Sequence, residues 1–263
     1  MATRFALLTL ALSVSTLEAQ SYWNDDRERQ ESRLEFLHPI IAHAHLKPLS
    51  GASFFGVSGR IGSGARLEAE LPLAIGGQSG GPSAVLVGNP YFGLRSQQSS
   101  KALTVQLGVR LPVRNEVSSS EDETAIGAAV LSDADRMEAF FEKVLTARFA
   151  LEWRAAGAGN FLGGAKLGAS VFFPSDGGGD AEAFFDYGGR IGVQGSSTRV
   201  TLALTGRLFA TAGGGSFAQL TEQQVSATLE LVRGPIRPGA LLRVPLDESN
   251  ASAIIGVRVV LVP

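Results

Sequence analysis

Few residues of this 263-residue chain could do chemistry: a serine among glycines, three histidines and many arginines. Gly77-Gln78-Ser79-Gly80-Gly81-Pro82 presents Ser79 as an acyl-transfer nucleophile is presented. A protease-type segment needs Asp where Gln78 stands, and His43, the candidate base, lies only 36 residues upstream, too near for that arrangement. The segment also matches G-x-S-x-G, but strand patterning follows it, whereas a nucleophile elbow leads into a helix. The expected reading is a Gly-rich loop. His43 and His45, two residues apart on one strand face, could ligate a metal, yet no third ligand stands near them at a recognisable spacing. Gly157-Ala158-Gly159 and Gly213-Gly214-Gly215 read as turn glycines, since no amphipathic helix follows to make either a phosphate cradle. The chain has no Cys, which removes disulfides, thiolate metal sites and a Cys nucleophile. A net charge of −2 argues against a generic nucleic-acid binder. No catalytic residue, metal or cofactor is therefore expected.

What remains is arginine, and its placement is regular. Arg33, Glu35, Arg60, Arg66, Glu68, Glu70, Arg95, Arg110, Arg148, Glu152, Arg154, Lys166, Glu182, Asp186, Arg190, Arg199, Arg207, Glu230, Arg237, Arg243 and Arg258 all fall on the polar face of alternating segments. Fourteen are basic and seven acidic, and thirteen of the basic ones are Arg. A soluble exterior normally uses much Lys. Arg facing Glu among Gly, Ser and Thr suits a confined, hydrated interior, where planar bidentate pairing matters.

The elements that must position these charges are strands. Leu103, Val105, Leu107, Val109, Leu111 and Val113 alternate with Thr104, Gln106, Gly108, Arg110 and Pro112, so the two sets point to opposite faces of a strand. The same rhythm runs through 65–73, 147–155, 200–208, 225–231 and 253–261. Twelve candidate strands result: 33–47, 51–61, 65–74, 84–95, 102–113, 145–156, 163–173, 182–194, 198–210, 222–233, 236–246 and 252–262. Short connections alternate with longer ones, the pattern of an outer-membrane barrel. An even count puts both termini on the short-turn side, the periplasm.

Residues 1–19 read as a cleaved secretory signal: Arg4, the apolar run Phe5–Val14, and Leu17-Glu18-Ala19 before Gln20. A run of that length is too short to span a membrane as a helix, which takes ~20 residues. Residues 20–32 are polar and expected to form a periplasmic tail, and 33–263 the barrel. The expected fold is all-β, a single antiparallel transmembrane β-barrel of about 12 strands, range 10–14, in the cell outer membrane. The lipid bilayer and small solutes are the expected partners; oligomeric state is not legible.

Gly88-Asn89-Pro90-Tyr91-Phe92-Gly93-Leu94-Arg95, followed by Val105-Gln106-Leu107-Gly108-Val109-Arg110-Leu111-Pro112, resembles the strand pair of small Gram-negative outer-membrane β-barrel proteins of the transporter or porin-like type. Those are similar to barrels found near aromatic-compound degradation genes. The resemblance implies passage of a solute and brings no catalytic residues.

One connection breaks the rhythm. Residues 114–144 carry eight acids and three bases, a net charge of −5. Ser132 with Asp135 resembles a capping box, and Met137, Phe140, Phe141, Val144 and Leu145 follow at helical spacing. A short helix is expected here. An acidic insert facing a net-positive lumen is attracted into it, so Met137, Phe140 and Phe141 are the candidate gate. The expected function is porin-like or transporter-like passage of small, anionic solutes. Two alternatives stand beside it: a structural or adhesive barrel with a closed lumen, and an outer-membrane lipid hydrolase, for which His38 on the apolar face is the one placed histidine.

Overall fold

The computed structural model describes residues 31–41, 45–96, 103–114, 116–156, 160–175, 180–211, 220–247 and 251–262. The signal segment, most of the tail, His43 and the glycine turns 157–159 and 213–215 lie outside the described residues.

Period-two alternation places unlike side chains on the two faces of a strand, and the chain forms thirteen: β1 (Glu31–Ile41), β2 (Gly51–Ile61), β3 (Ala65–Gly76), β4 (Ala84–Val87), β5 (Tyr91–Ser96), β6 (Leu103–Arg110), β7 (Val144–Ala156), β8 (Phe161–Pro174), β9 (Glu182–Gln194), β10 (Thr198–Phe209), β11 (Thr221–Leu231), β12 (Ile236–Pro245) and β13 (Ala251–Leu261). Neighbours pair antiparallel. β1 pairs with both β2 and β13, and β2 with β3, so the sheet closes on itself. Twelve strands make the barrel and β4 is an extra short strand on β3.

The sequence reads β4 and β5 as one strand, 84–95, and the structure shows why it breaks. Glu70 pairs with Tyr91 and Leu73 with Val87, so Leu71 and Pro72 face Gly88, Asn89 and Pro90. One extra residue on one strand is a β-bulge, placed where Pro72 and Pro90 have no N–H to give to a ladder. β1 also differs from expectation. It starts at Glu31, inside the segment assigned to the tail, and stops at Ile41 rather than 47. Its pairing with β13 slips between Ile40 and Ile41, and beyond it Leu46 bridges to Gln78. His45 therefore lies in a connection and not on a strand face.

Sequence expectation also misplaces the helix. α1 spans Ser120–Ser132, and a 3-10 segment follows over Ala134–Phe140. Ser119 caps α1, its side chain accepting from the Asp122 N–H, while Glu121, Asp122 and Glu123 sit in the first turn, where the helix dipole favours acids. Asp133, not Ser132, opens the 3-10 segment, and Arg136 leaves helical geometry at φ −133°. Val144 and Leu145 already belong to β7.

The faces are inverted relative to a soluble protein. Leu103, Leu107 and Val109 of β6, Phe149 and Leu151 of β7, Leu202 of β10 and Val257 of β13 are exposed on the outside. Arg110, Arg136, Arg190, Arg207 and Arg243 are among the largest fully buried side chains. An exposed apolar girdle around a polar interior is the arrangement of a sheet solvated by lipid, and closure leaves no unpaired edge there. No helix among the described residues is long and apolar enough to cross a membrane. The strands supply the crossing: β8 has 14 residues, where ~9–11 suffice.

Tyr91 explains two glycines of the strand pair quoted above. Gly93 and Gly108 face each other across β5 and β6. A Cβ at Gly108 would stand 2.0 Å from the Tyr91 hydroxyl, and one at Gly93 2.4 Å from it. The ring lies over both, and only glycine leaves it room.

Candidate functional site in the lumen

Connections 62–64 and 195–197 lie at one end of the barrel with the start of β1 and the end of β13, here the turn end; the opposite, loop end holds the β6–β7 insert. Of the charges assigned to the polar face, Arg66, Glu70, Arg95, Arg110, Arg148, Glu152, Lys166, Asp186, Arg190, Arg207, Glu230, Arg243 and Arg258 are buried inside the barrel. Glu68 and Arg154 are partly covered there, and Arg60 is exposed near the turn end of β2.

At the turn end the wall pairs with itself. Arg95 meets Glu68 at 3.0 Å and Glu152 at 3.6 Å, Arg154 meets Glu152 at 2.8 Å, and Arg258 meets Glu230 at 2.8 Å. Gln106 donates to Glu68 and to the Tyr91 hydroxyl.

At the loop end the insert lies in the lumen, and it is two-sided. Ala125, Ala128, Ala129 and Ser132 form its buried stripe at helical spacing. Ala125, Ala129, Ala139 and Phe140 pack with Leu37, Ala52, Phe54, Ala74, Leu241 and Ile254 of the wall in one apolar cluster. Gly76 permits this approach, because a Cβ there would lie 2.4 Å from the Ala125 Cα. Phe140 is tilted onto Phe54, ring centres 5.9 Å apart. Ser132 Oγ donates to the carbonyls of Ala128 and Leu37.

The other side of the insert is ionic. Arg136, wholly buried, reaches Asp133 at 2.6 Å, Glu70 at 2.8 Å and Glu35 at 2.9 Å, and its guanidinium lies 3.4 Å over the Phe54 ring. Arg243 of β12 pairs with Asp133 at 2.8 Å. Glu138 meets Arg148 at 3.0 Å, Arg207 at 3.3 Å and Arg110 at 3.8 Å. Gln224 of β11 donates to the Asp135 carboxylate. Burial opposes ionisation of Asp133, but Arg136 and Arg243 outweigh it and hold the carboxyl at about 2. Asp135 goes the other way: burial, and then the neighbouring Asp133 charge, push it up.

One wall residue grips both stems of the insert. Asn89, at the β4–β5 bulge and wholly buried, takes the Arg114 N–H on its Oδ1 at 2.9 Å. Its Nδ2 donates to the carbonyls of Phe141 at 2.6 Å and Glu138 at 3.2 Å, and its N–H donates to the Ala139 carbonyl at 2.7 Å.

Phe140 of the expected gate is thus packed against the inner wall, Met137 is buried and Phe141 is half-buried. Phe141 lines a cavity of about 530 Å³ at the loop end with Phe172, Phe209, Asp180 and Glu182. Sequence reasoning missed Asn89 and the alanine stripe. The signal for the last was present in the spacing of Ala125, Ala128 and Ala129, but alanine is too small to mark a stripe beside Phe and Met.

The remaining candidates resolve into structure. Gly77–Pro82 is a loop, with Gly80 at φ +83° and the Ser79 N–H on the His45 carbonyl. The His38 ring Nδ1 bonds the Ser50 carbonyl at 2.6 Å. Among the described residues no group of three or more His, Cys, Asp or Glu could hold a metal ion.

No family model and no curated relative matches this sequence. The likeness is in the fold. The chain is similar to an outer membrane channel from Pseudomonas putida F1, with a TM-score of 0.62 at 12% identity over 94% of this chain and 100% of that one. The KdgM porin in complex with disordered oligogalacturonate superposes at 0.50, with 12% identity over 88% of this chain and 97% of that one. The architecture is that of small outer-membrane porin-like β-barrels.

Proposed function

We propose that the chain is an outer-membrane channel for small, anionic solutes, inserted with its turn end toward the periplasm and closed from outside by the insert. The observation that carries this reading is the buried arginine-rich wall inside an apolar girdle. Of the thirteen buried wall charges named above nine are basic and four acidic, and charge lining a pore sets its ion preference. Similarity to barrels named as channels and porins supports passage over catalysis. Residues 1–19 would be removed on export.

A second reading, a structural barrel with a permanently closed lumen, is favoured by the same insert that fills the loop end. Conductance separates the two. In planar bilayers the mature chain is expected to conduct weakly, and deletion of 116–142 with a short turn joining the flanking strands to conduct clearly more. Reversal potentials under a salt gradient are expected to favour anions. A deletion variant that inserts correctly and stays closed refutes the channel, and cation preference refutes the anionic solute.

A further inference from the structure

The three arginines around Glu138 are a site that the insert occupies but does not build. Arg110, Arg148 and Arg207 come from β6, β7 and β10, all wall strands; only the carboxylate comes from the insert. All three side chains are buried. Their other acidic partners include Asp186, 3.4 Å from Arg148 and 2.8 Å from Arg207, and Glu70, 3.0 Å from Arg110. Glu70 is divided further, since Arg136 and Arg33 also pair with it. Without Glu138 the wall presents three convergent guanidinium groups to Asp186, which the Lys166 ammonium also shares, and to a share of Glu70. Planar, desolvated guanidinium forks are suited to a carboxylate, phosphate or sulfate group.

Glu138 also fills the site incompletely. Arg110 Nε is buried, has no hydrogen-bond acceptor and stands 3.8 Å from the Glu138 carboxylate. A cavity at the loop end adjoins the site. Arg207 lies 5.7 Å over Phe172 and 5.5 Å over Phe184. Phe172 also lines the 530 Å³ cavity at the rim, so cavity and arginines share a wall.

We propose that Arg110, Arg148 and Arg207 form an oxyanion site for the incoming solute, and that Glu138 is a built-in stand-in for that solute. An oxyanion reaching the site competes with Glu138 and loosens the insert, so the solute opens its own path. The inference rests on the reading of the insert as a plug. A ligand that binds only when Glu138 is out shifts the equilibrium toward that state by its differential affinity.

The chain has no Cys, so Ala129→Cys places a single thiol on the buried face of α1. Maleimide labelling of that variant, and conductance of the unsubstituted chain, are measured in sulfate or phosphate and in chloride at equal ionic strength. Oxyanions are expected to raise conductance and to speed labelling by roughly five- to hundredfold, the range of ordinary coupling between sites. Adding Glu138→Gln is expected to speed labelling without oxyanion and to abolish the response. Equal labelling and conductance in sulfate and chloride, with a 116–142 deletion that does raise conductance, leaves the plug standing and overturns the stand-in. A sulfate response undiminished by Glu138→Gln also overturns it, because the site is then elsewhere. A deletion that leaves conductance unchanged removes the plug reading and this inference with it. The conductance comparison needs no substitution at 138, so a misfolded variant does not shield the proposal.

Discussion

At the turn end of the lumen, Arg95 and Arg258 find their acids on other wall strands, in Glu68, Glu152 and Glu230. At the loop end, Arg148, Arg207 and Arg243 divide theirs between the wall, in Asp186 and Glu35, and the insert, in Glu138 and Asp133. The wall is made the same way in both halves, from arginines spaced by small residues. What differs is whether the countercharge is part of the sheet. Where it is, charge balance and strand pairing stand or fall together. Where it is not, the wall can lose its countercharge and keep every ladder hydrogen bond.

The strongest test of that difference is Arg136→Ala. It leaves Glu35, Glu70 and Asp133 buried with one shared cation fewer, a loss of about 3–5 kcal/mol for a broken buried pair. The expected consequence is confined to the insert: limited proteolysis cuts within 116–142, while the barrel still migrates anomalously on a gel until boiled. Loss of the heat-modifiable band would show that insert and sheet fold as one unit and erase the distinction.

Leu107→Arg is the converse experiment. Leu107 is 52% exposed on the outer face of β6, and a charge there costs ~2–4 kcal/mol if it lies at the bilayer midplane. Urea unfolding in lipid is expected to report the loss, with proteolysis of the insert unchanged. An unchanged unfolding midpoint would mean that β6 does not face lipid at that point.

The smallest effect is in pH. Asp133 titrates near 2 when folded against an ordinary 3.8, so its contribution is complete above about 4 and is lost as pH falls through 2. That contribution is on the order of 2 kcal/mol. Asp135 has the opposite sign: raised by burial, it favours the folded insert below its ordinary value and withdraws that help as pH rises through its folded one. The insert should resist protease best in mild acid and be released as pH approaches 2. Unchanged cleavage from pH 2 to pH 7 would remove Asp133 from the attachment.

These contrasts also mark what was legible in the chain. Leu103, Leu107 and Val109 announce an outer face because a strand reports its environment every second residue, and twelve barrel strands follow from that rule alone. The polar partners on those strands were equally legible as an interior. The insert was legible in charge but not in geometry. Its helix starts at Ser120, where acids suit the dipole and alanines suit close contact, and not on the Phe and Met spacing that draws the eye. Asn89 was hidden for a different reason. Its role depends on a pairing slip beside Pro72 and Pro90, which becomes visible only once β3 and β5 are aligned.

That slip has an evolutionary side. Because Asn89 holds the backbone at Arg114 and again at Glu138 to Phe141, the residues between are a closed excursion mounted on a bracket in the sheet. Lengthening such an excursion is cheap, about 0.6 kcal/mol for each doubling of its length. The barrel is in this respect a chassis and the insert a cartridge. Its length can change while the bracket holds, but its sequence stays matched to the strands through Asp133, Arg136 and Glu138.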